Sequence, residues 1–218
     1  VGSMTVRHGA SGEVIFERHR GGYAMGMFDL QVRIGGPRRV VFAMEGAVDG
    51  PSEQPGWLSS AADGSISWHE MKRIPLELWD LAGDGLDAVL TMSTELYQDY
   101  LPRGTMDVMT WRDGGLVSIM PFEAFEVCAL EPDGGAPLLL IAVSRRKPTL
   151  HVLRWDGSGH KLKSQQKIAV EAPHIGKPYN VPRGFALACG FPRERPHWVQ
   201  YKNRHFVLGA DGKLVPKP

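Results

Sequence analysis

The dipeptide Asp-Gly recurs four times between short apolar runs, at Asp63–Gly64, Asp113–Gly114, Asp156–Gly157 and Asp211–Gly212. The stretches read SSAADGSIS, MTWRDGGLVS, VLRWDGSGHKL and VLGADGKLV, and the intervals are 50, 43 and 55 residues. Asp-Gly between two such runs is a strong hairpin signal, because a type I′ turn needs positive φ at both central residues. The pattern therefore predicts positive φ at Gly114 and Gly157. A chain that spends this much of its length on regularly spaced hairpins has little left for helix.

Ahead of each hairpin lies a second pair of strand-like runs: AMGMFDLQVRI with RVVFAME, PLELWDL with LDAVLTM, FEAFEVCAL with PLLLIAVS, and GFALACG with HWVQYK. Polar turns bearing Gly or Pro join each pair, and Val, Ile, Leu, Phe and Trp fill the runs as sheets require. The nearest approach to a helical stripe is ISWHEMKR, which is short. Four strands in about 50 residues, repeated at about 24–72, 75–120, 123–170 and 183–216, predict a single all-β domain over residues 4–218. The expected form is a small β-propeller-like fold of four four-stranded units, with a β-sandwich as the alternative. Val1 to Ser3 read as a vector scar before Met4. The extra run GEVIFERH, Gly12 to His19, is expected either to close a ring against the last unit or to form a hairpin with the next strand through RGGY.

One stretch carries a resemblance. DLAGDGLDAVLTM, from Asp80, resembles the FG-GAP/VCBS type of propeller repeat, in which an Asp-x-(Asp/Asn)-x-Asp-Gly loop joins the first two strands of a blade. The likeness covers residues 76–120 and extends elsewhere only as spacing. It implies a propeller blade and a loop able to bind calcium through its first, third, fifth and ninth positions. Asp80 and Asp84 match the first and fifth, but the third is Ala82 and the ninth Ala88. Asp87 is displaced by one residue, which in a strand sends its side chain to the opposite face. Calcium wants six to eight oxygen ligands, so two carboxylates make a turn rather than a metal site. Asp80 and Asp84 are expected to accept backbone N–H bonds, and Gly83 and Gly85 to take positive φ.

Sequence chemistry points away from catalysis. No nucleophile elbow, phosphate-binding loop or dinucleotide fingerprint is present, and no His–Cys spacing suits a metal. His69-Glu70 lacks the second His of a zinc-protease helix. Neither a cofactor nor a metal is expected. Net charge is +1, from 25 basic and 24 acidic residues, without the basic excess of a dedicated nucleic-acid surface. No apolar run is long enough for a membrane span or shaped as a secretory leader. Cys128 and Cys189 lie in apolar runs and read as two buried thiols of a reducing cytosol. The expectation is a cytoplasmic protein. The six tryptophans are expected to pack between units rather than to stack on sugars.

Function is then sought on loops, where rigid β scaffolds usually carry it. In stacked four-strand units, the loops joining second to third strands share one end with the connections between units. Acidic residues crowd the first half of that end: Glu45, Asp49, Glu53, Glu95 and Asp99. Its second half carries Arg145, Arg146, Lys147, Lys177, Lys202 and Arg204. Tyr97, Tyr100, Arg103, Arg145, Arg146, Lys147, Tyr179 and Arg204 form the candidate partner-binding set, since Tyr and Arg are enriched in interfaces. The partner expected is another protein with an acidic patch, with neither nucleic acid nor membrane involved. By analogy with small stand-alone bacterial proteins, an inhibitor or immunity role toward a toxin or enzyme is expected. A glycan-binding lectin, or a polymer-acting hydrolase or lyase with an axial cleft, is the alternative.

Overall fold

A computed structural model describes residues 2–20, 24–33, 38–46, 56–60, 65–70, 73–83, 87–93, 105–112, 115–131, 138–171, 187–190 and 197–217. Every regular element among them is a strand. The first two, β1 (Gly2–Arg7) and β2 (Val14–Arg20), form an antiparallel pair of their own. The next four are β3 (Ala24–Arg33), β4 (Arg38–Gly46), β5 (Gly56–Ser60) and β6 (Ile66–Glu70), which pair in chain order. They are followed by β7 (Arg73–Asp80), β8 (Asp87–Ser93), β9 (Met106–Arg112) and β10 (Gly115–Ser118), again in order. Then come β11 (Ala124–Leu130), β12 (Leu139–Ser144), β13 (Thr149–Asp156) and β14 (Lys161–Ala169). The last meander is β15 (Leu187–Cys189), β16 (Trp198–Tyr201), β17 (Arg204–Leu208) and β18 (Leu214–Pro216). All neighbours are antiparallel. Pairing of Ala124 with Met106 fuses the second and third meanders into one eight-stranded sheet.

Local chemistry accounts for details of the ladder. Pro75 has no N–H to donate, and it lies on β7, the edge of that sheet, beside a bulge between Pro75 and Glu77. Edge strands and bulges are where a strand tolerates proline. All six residues of β12, LLIAVS, are buried. A run apolar on both faces means a strand covered on both sides, and the core confirms it. Leu140, Ala142 and Leu153 join Trp79, Leu90, Met106 and Val108 of the second meander. Leu139, Ile141, Val143, Leu150 and Val152 join Leu187, Val199, Tyr201 and Phe206 of the fourth. The third meander thus contributes to a core on each of its faces. Each such aliphatic side chain, fully buried, contributes roughly 1.5–3 kcal/mol. The first meander meets the second, with β3 and β4 against β7 and β8.

Three expectations are corrected. The N-terminal run joins neither the last meander nor β3. It pairs with β1, where Gly2 and Ser3 face Arg20 and His19 in the register. Cys128 and Cys189 are not free thiols but a disulfide, with Cα atoms 6.0 Å apart, binding β11 to β15. The turn after β13 holds four residues, 157–160, and its positive φ falls on His160 (46°) rather than Gly157. Asp156 is the last residue of the strand there, and its Oδ1 accepts from Ser158 N and Oγ at 3.2 and 2.7 Å. The carboxylate therefore shapes the turn by hydrogen bonding from outside it. Gly212 does take positive φ, at 73°. Arg112 pairs with Gly115, while Asp113–Gly114 and Asp63–Gly64 lie outside the described residues.

Candidate basic interface at one end of the stack

Arg145, Arg146 and Lys147 form the bend between β12 and β13, and all three are exposed. The bend is pinned from below. Ser144, buried, donates its Oγ–H to Lys147 O at 2.6 Å and lies 3.3 Å from Thr149 O. From the side, Arg145 N donates to Glu123 O at 2.9 Å. The three cationic side chains form no ion pair among the described residues.

Beneath the bend His151 bridges two hydroxyls. Its Nε2 lies 3.3 Å from Ser144 Oγ, and its Nδ1 lies 3.1 Å from Ser164 Oγ. Ser144 Oγ faces Lys147 O as well, and Ser164 Oγ also donates to Gln166 O at 3.2 Å, so each hydroxyl is shared between the ring and a backbone carbonyl. Burial, and secondarily the charge of Lys167, hold the His151 pKa below its ordinary value. Phe122 packs on the ring with centroids 4.2 Å apart. A bulge puts Gln165 between the Val152–Gln166 and Leu153–Ser164 pairs. Next to it the Gln166 amide donates to Leu214 O at 2.9 Å and accepts from Leu214 N at 2.7 Å, tying β14 to β18.

The same end continues onto the fourth meander. Thr149, just after the bend, pairs with Ala169, and Arg204 Nη1 donates to Ala169 O at 2.9 Å. The Arg204 guanidinium also sits 5.1 Å from the Phe206 ring centre. Lys202 Nζ lies 3.5 Å from Glu171. Tyr201, buried, donates its hydroxyl to Glu171 O at 2.9 Å. Its pKa is pushed up to about 12, first by burial and then by the charges of Glu126 and Glu171. A cleft of about 260 Å³ opens between Val170, Glu171, Tyr201 and Arg204. A second, of about 490 Å³, is lined by Asn203, Arg204, His205, Pro216 and Lys217.

A polar row crosses the second meander at this end. Arg73 Nε donates to the buried Thr91 at 2.8 Å, Thr91 donates to Asp107 O at 3.2 Å, and Ser118 donates to Asp107 Oδ1 at 2.7 Å. Burial raises the Asp107 pKa, partly offset by Ser118 and Arg73. The row is a set of satisfied groups on four neighbouring strands.

At the other end, the Asp80 loop is a turn. Gly83 N donates to Asp80 Oδ1 at 2.8 Å and Gly83 has φ 72°. Asp84 and Gly85 lie outside the described residues. No group of three metal-ligating side chains occurs among the described residues.

Of the sequence-derived set, the structure brings Arg145, Arg146, Lys147 and Arg204 to one end. Tyr97, Tyr100, Arg103 and Tyr179 lie outside the described residues. Among the six tryptophans Trp79 is buried, and Trp68, Trp111, Trp155 and Trp198 are half-buried. Sequence reasoning missed Ser144, which pins the bend, Ser164, which meets His151, and Glu171, which pairs with Lys202. A serine ending an apolar strand just before three cations is the one signal that would have pointed to them. No helix among the described residues is long and apolar enough to cross a membrane. No family model matches the chain, and no curated protein matches it.

Proposed function

We propose that the chain is a non-catalytic protein-binding module of the small β-propeller type, and that its basic end meets an acidic surface on the partner. One observation carries this reading. Three consecutive cations, exposed and without an ion pair among the described residues, stand on a bend that a buried serine pins. A bend whose backbone is already ordered adds no backbone entropy cost on binding, and its three cations complement an acidic surface. Arg adds a planar fork suited to carboxylates. An inhibitor or immunity role toward a toxin or enzyme is the concrete form of the proposal.

Support for the propeller form comes from the stack. The third meander has cores on both faces. First strands also meet at two of the junctions, β3 beside β7 and β11 beside β15, while the second and third meanders join through β9 and β11. The likeness of residues 76–120 to FG-GAP/VCBS repeats agrees with this form. The compartment that fits the Cys128–Cys189 bond is an oxidising one, in place of the reducing cytosol that two free thiols would suit.

The test begins with capture of a partner on the immobilised chain and its identification by mass spectrometry. Surface plasmon resonance then compares the chain with an Arg145→Glu, Arg146→Glu, Lys147→Glu variant at two salt concentrations. Association should slow strongly at low salt, and the defect should shrink as the Debye length falls to about 8 Å at physiological ionic strength. Unchanged kinetics would move the binding surface elsewhere.

A further inference from the structure

We infer that the turn Lys202–Asn203 and the cleft beside it form a subsite for an extended acidic segment of the partner's chain, an inference that rests on the basic-end reading above. The turn is unusual. Tyr201 pairs with Arg204, leaving a two-residue connection. Lys202 has φ 53°, whereas Asn203 is not among the positive-φ residues. Positive φ at the first central position alone is the type II′ pattern, which normally takes glycine there. A lysine in that conformation is a strained residue held by its surroundings. Those surroundings are Glu171, 3.5 Å from Nζ, and the Tyr201 ring, with its centre 5.9 Å away.

Next to the turn, Arg204, His205 and Lys217 line the cleft of about 490 Å³ together with Asn203 and Pro216, and among the described residues no acidic side chain lines it. Lys217 is placed there by its N–H bond to His205 O, at 2.8 Å. Arg204 is placed by Ala169 O and Phe206, with further guanidinium N–H groups left to form a fork toward a carboxylate. Arg204 comes from β17 and Lys217 follows β18, so the cleft draws its positive charge from two separate segments. An open cleft of this size with two such cations suits successive carboxylates on an extended chain better than a single small anion. Asn203 lines both clefts, and its amide offers a donor and an acceptor to a peptide group. Glu171 walls the smaller cleft and repels acidic side chains there, so they lie toward Arg204 and Lys217.

The experiment is an NMR titration of the oxidised full chain with tetraglutamate at low salt, with tetraglutamine and inorganic phosphate as controls. Tetraglutamate should shift the amides of residues 202–205 and 217, tetraglutamine should not, and phosphate should bind about tenfold more weakly or less. Arg204→Gln with Lys217→Gln should weaken tetraglutamate by about tenfold or more, the loss expected for charge-assisted bonds. Lys202→Gly suits the turn's φ and leaves melting unchanged or raised. Lys217→Gln alone, at an exposed position, serves if the double variant melts early. Phosphate as strong as tetraglutamate, or shifts untouched by these variants, would overturn the subsite. If the shifts instead map to Arg145–Lys147 and vanish in the triple charge reversal, the cleft fails while the basic-end reading stands. A captured partner that binds the opposite end would sink that reading, and the tetraglutamate titration would still judge the cleft.

Discussion

Burial, and secondarily the charge of Lys167, favour the neutral form of His151, whose ring lies between the hydroxyls of Ser144 and Ser164. Its folded pKa lies below the unfolded value of about 6.5, so the unfolded chain binds the proton first. Stability from this residue is complete above that pH and is lost as pH falls from it toward the lowered folded value. His69, also lowered by burial, acts in the same direction. Asp107, raised by burial, acts in the opposite one. Asp156, held at about 2 by Lys163 and Ser158, loses its contribution only in stronger acid. Urea midpoints between pH 8 and pH 5 should therefore decline less for His151→Gln, whose amide can still donate and accept, than for the parent chain. Equal slopes would mean that His151 does not titrate on unfolding. Asp80→Ala removes the acceptor of Gly83 N and should cost about 1 kcal/mol in denaturant melts, with no response to added calcium. A calcium-dependent rise in melting temperature, lost on that substitution, would show that the loop holds an ion. The Asp80 turn was readable because an Asx turn is local in sequence. The partners of His151 were not, since Ser144 and Ser164 lie on two neighbouring strands and only pairing brings them to it.

Strands were legible for the same reason, because alternation and turn residues act within a few positions. Runs such as PLLLIAVS and TLHVLRW are strands, and an all-β chain follows from them. Turn conformation was less legible. Asp156–Gly157 looks like a two-residue hairpin, but Asp156 pairs with Lys161 and four residues intervene. The strand β1 was missed because its run is short and polar-flanked. The Cys128–Cys189 bond was missed because a cysteine in an apolar run is indistinguishable from a small hydrophobe until β11 and β15 meet. That bond spans 61 residues, and a loop of this size constrains the unfolded chain by about 4 kcal/mol in the chain-entropy account. Strand β15 has three residues and among the described strands pairs with β16, so besides the buried Leu187 its far side is anchored by Glu126, which accepts from Leu187 N. Replacing both cysteines with serine should lower unfolding free energy by a comparable amount. Proteolysis under native conditions should then begin near β15. A loss below about 1 kcal/mol would show that packing alone seats the strand.

On the scale of the whole molecule, burial is distributed by layer. The third meander has its β12 and β13 side chains inserted into two cores at once, whereas the edge strands β14 and β18 expose one face or end. Local opening is cheapest where few apolar contacts are lost. Native-state hydrogen exchange should therefore be slowest at Leu139–Val143 and Leu150–Leu153, faster in β16 and β17, and fastest in the β1–β2 pair, where Val14 and Ile15 are exposed. A two-stranded ribbon has little independent stability, which places it at the low end of that scale. The layering also discriminates between architectures. In a sandwich each sheet has one buried and one solvated face, so alternate side chains of a central strand would meet water. In a stack of blades an interior layer is covered on both faces, so single cysteines placed in turn at Leu139, Leu140, Ile141 and Ala142 of β12, in a chain whose native cysteines are serine, should all resist a thiol reagent under native conditions. If their reactivity alternates along β12, the third meander is not an interior layer in solution. The propeller form proposed for the chain would then have to be abandoned.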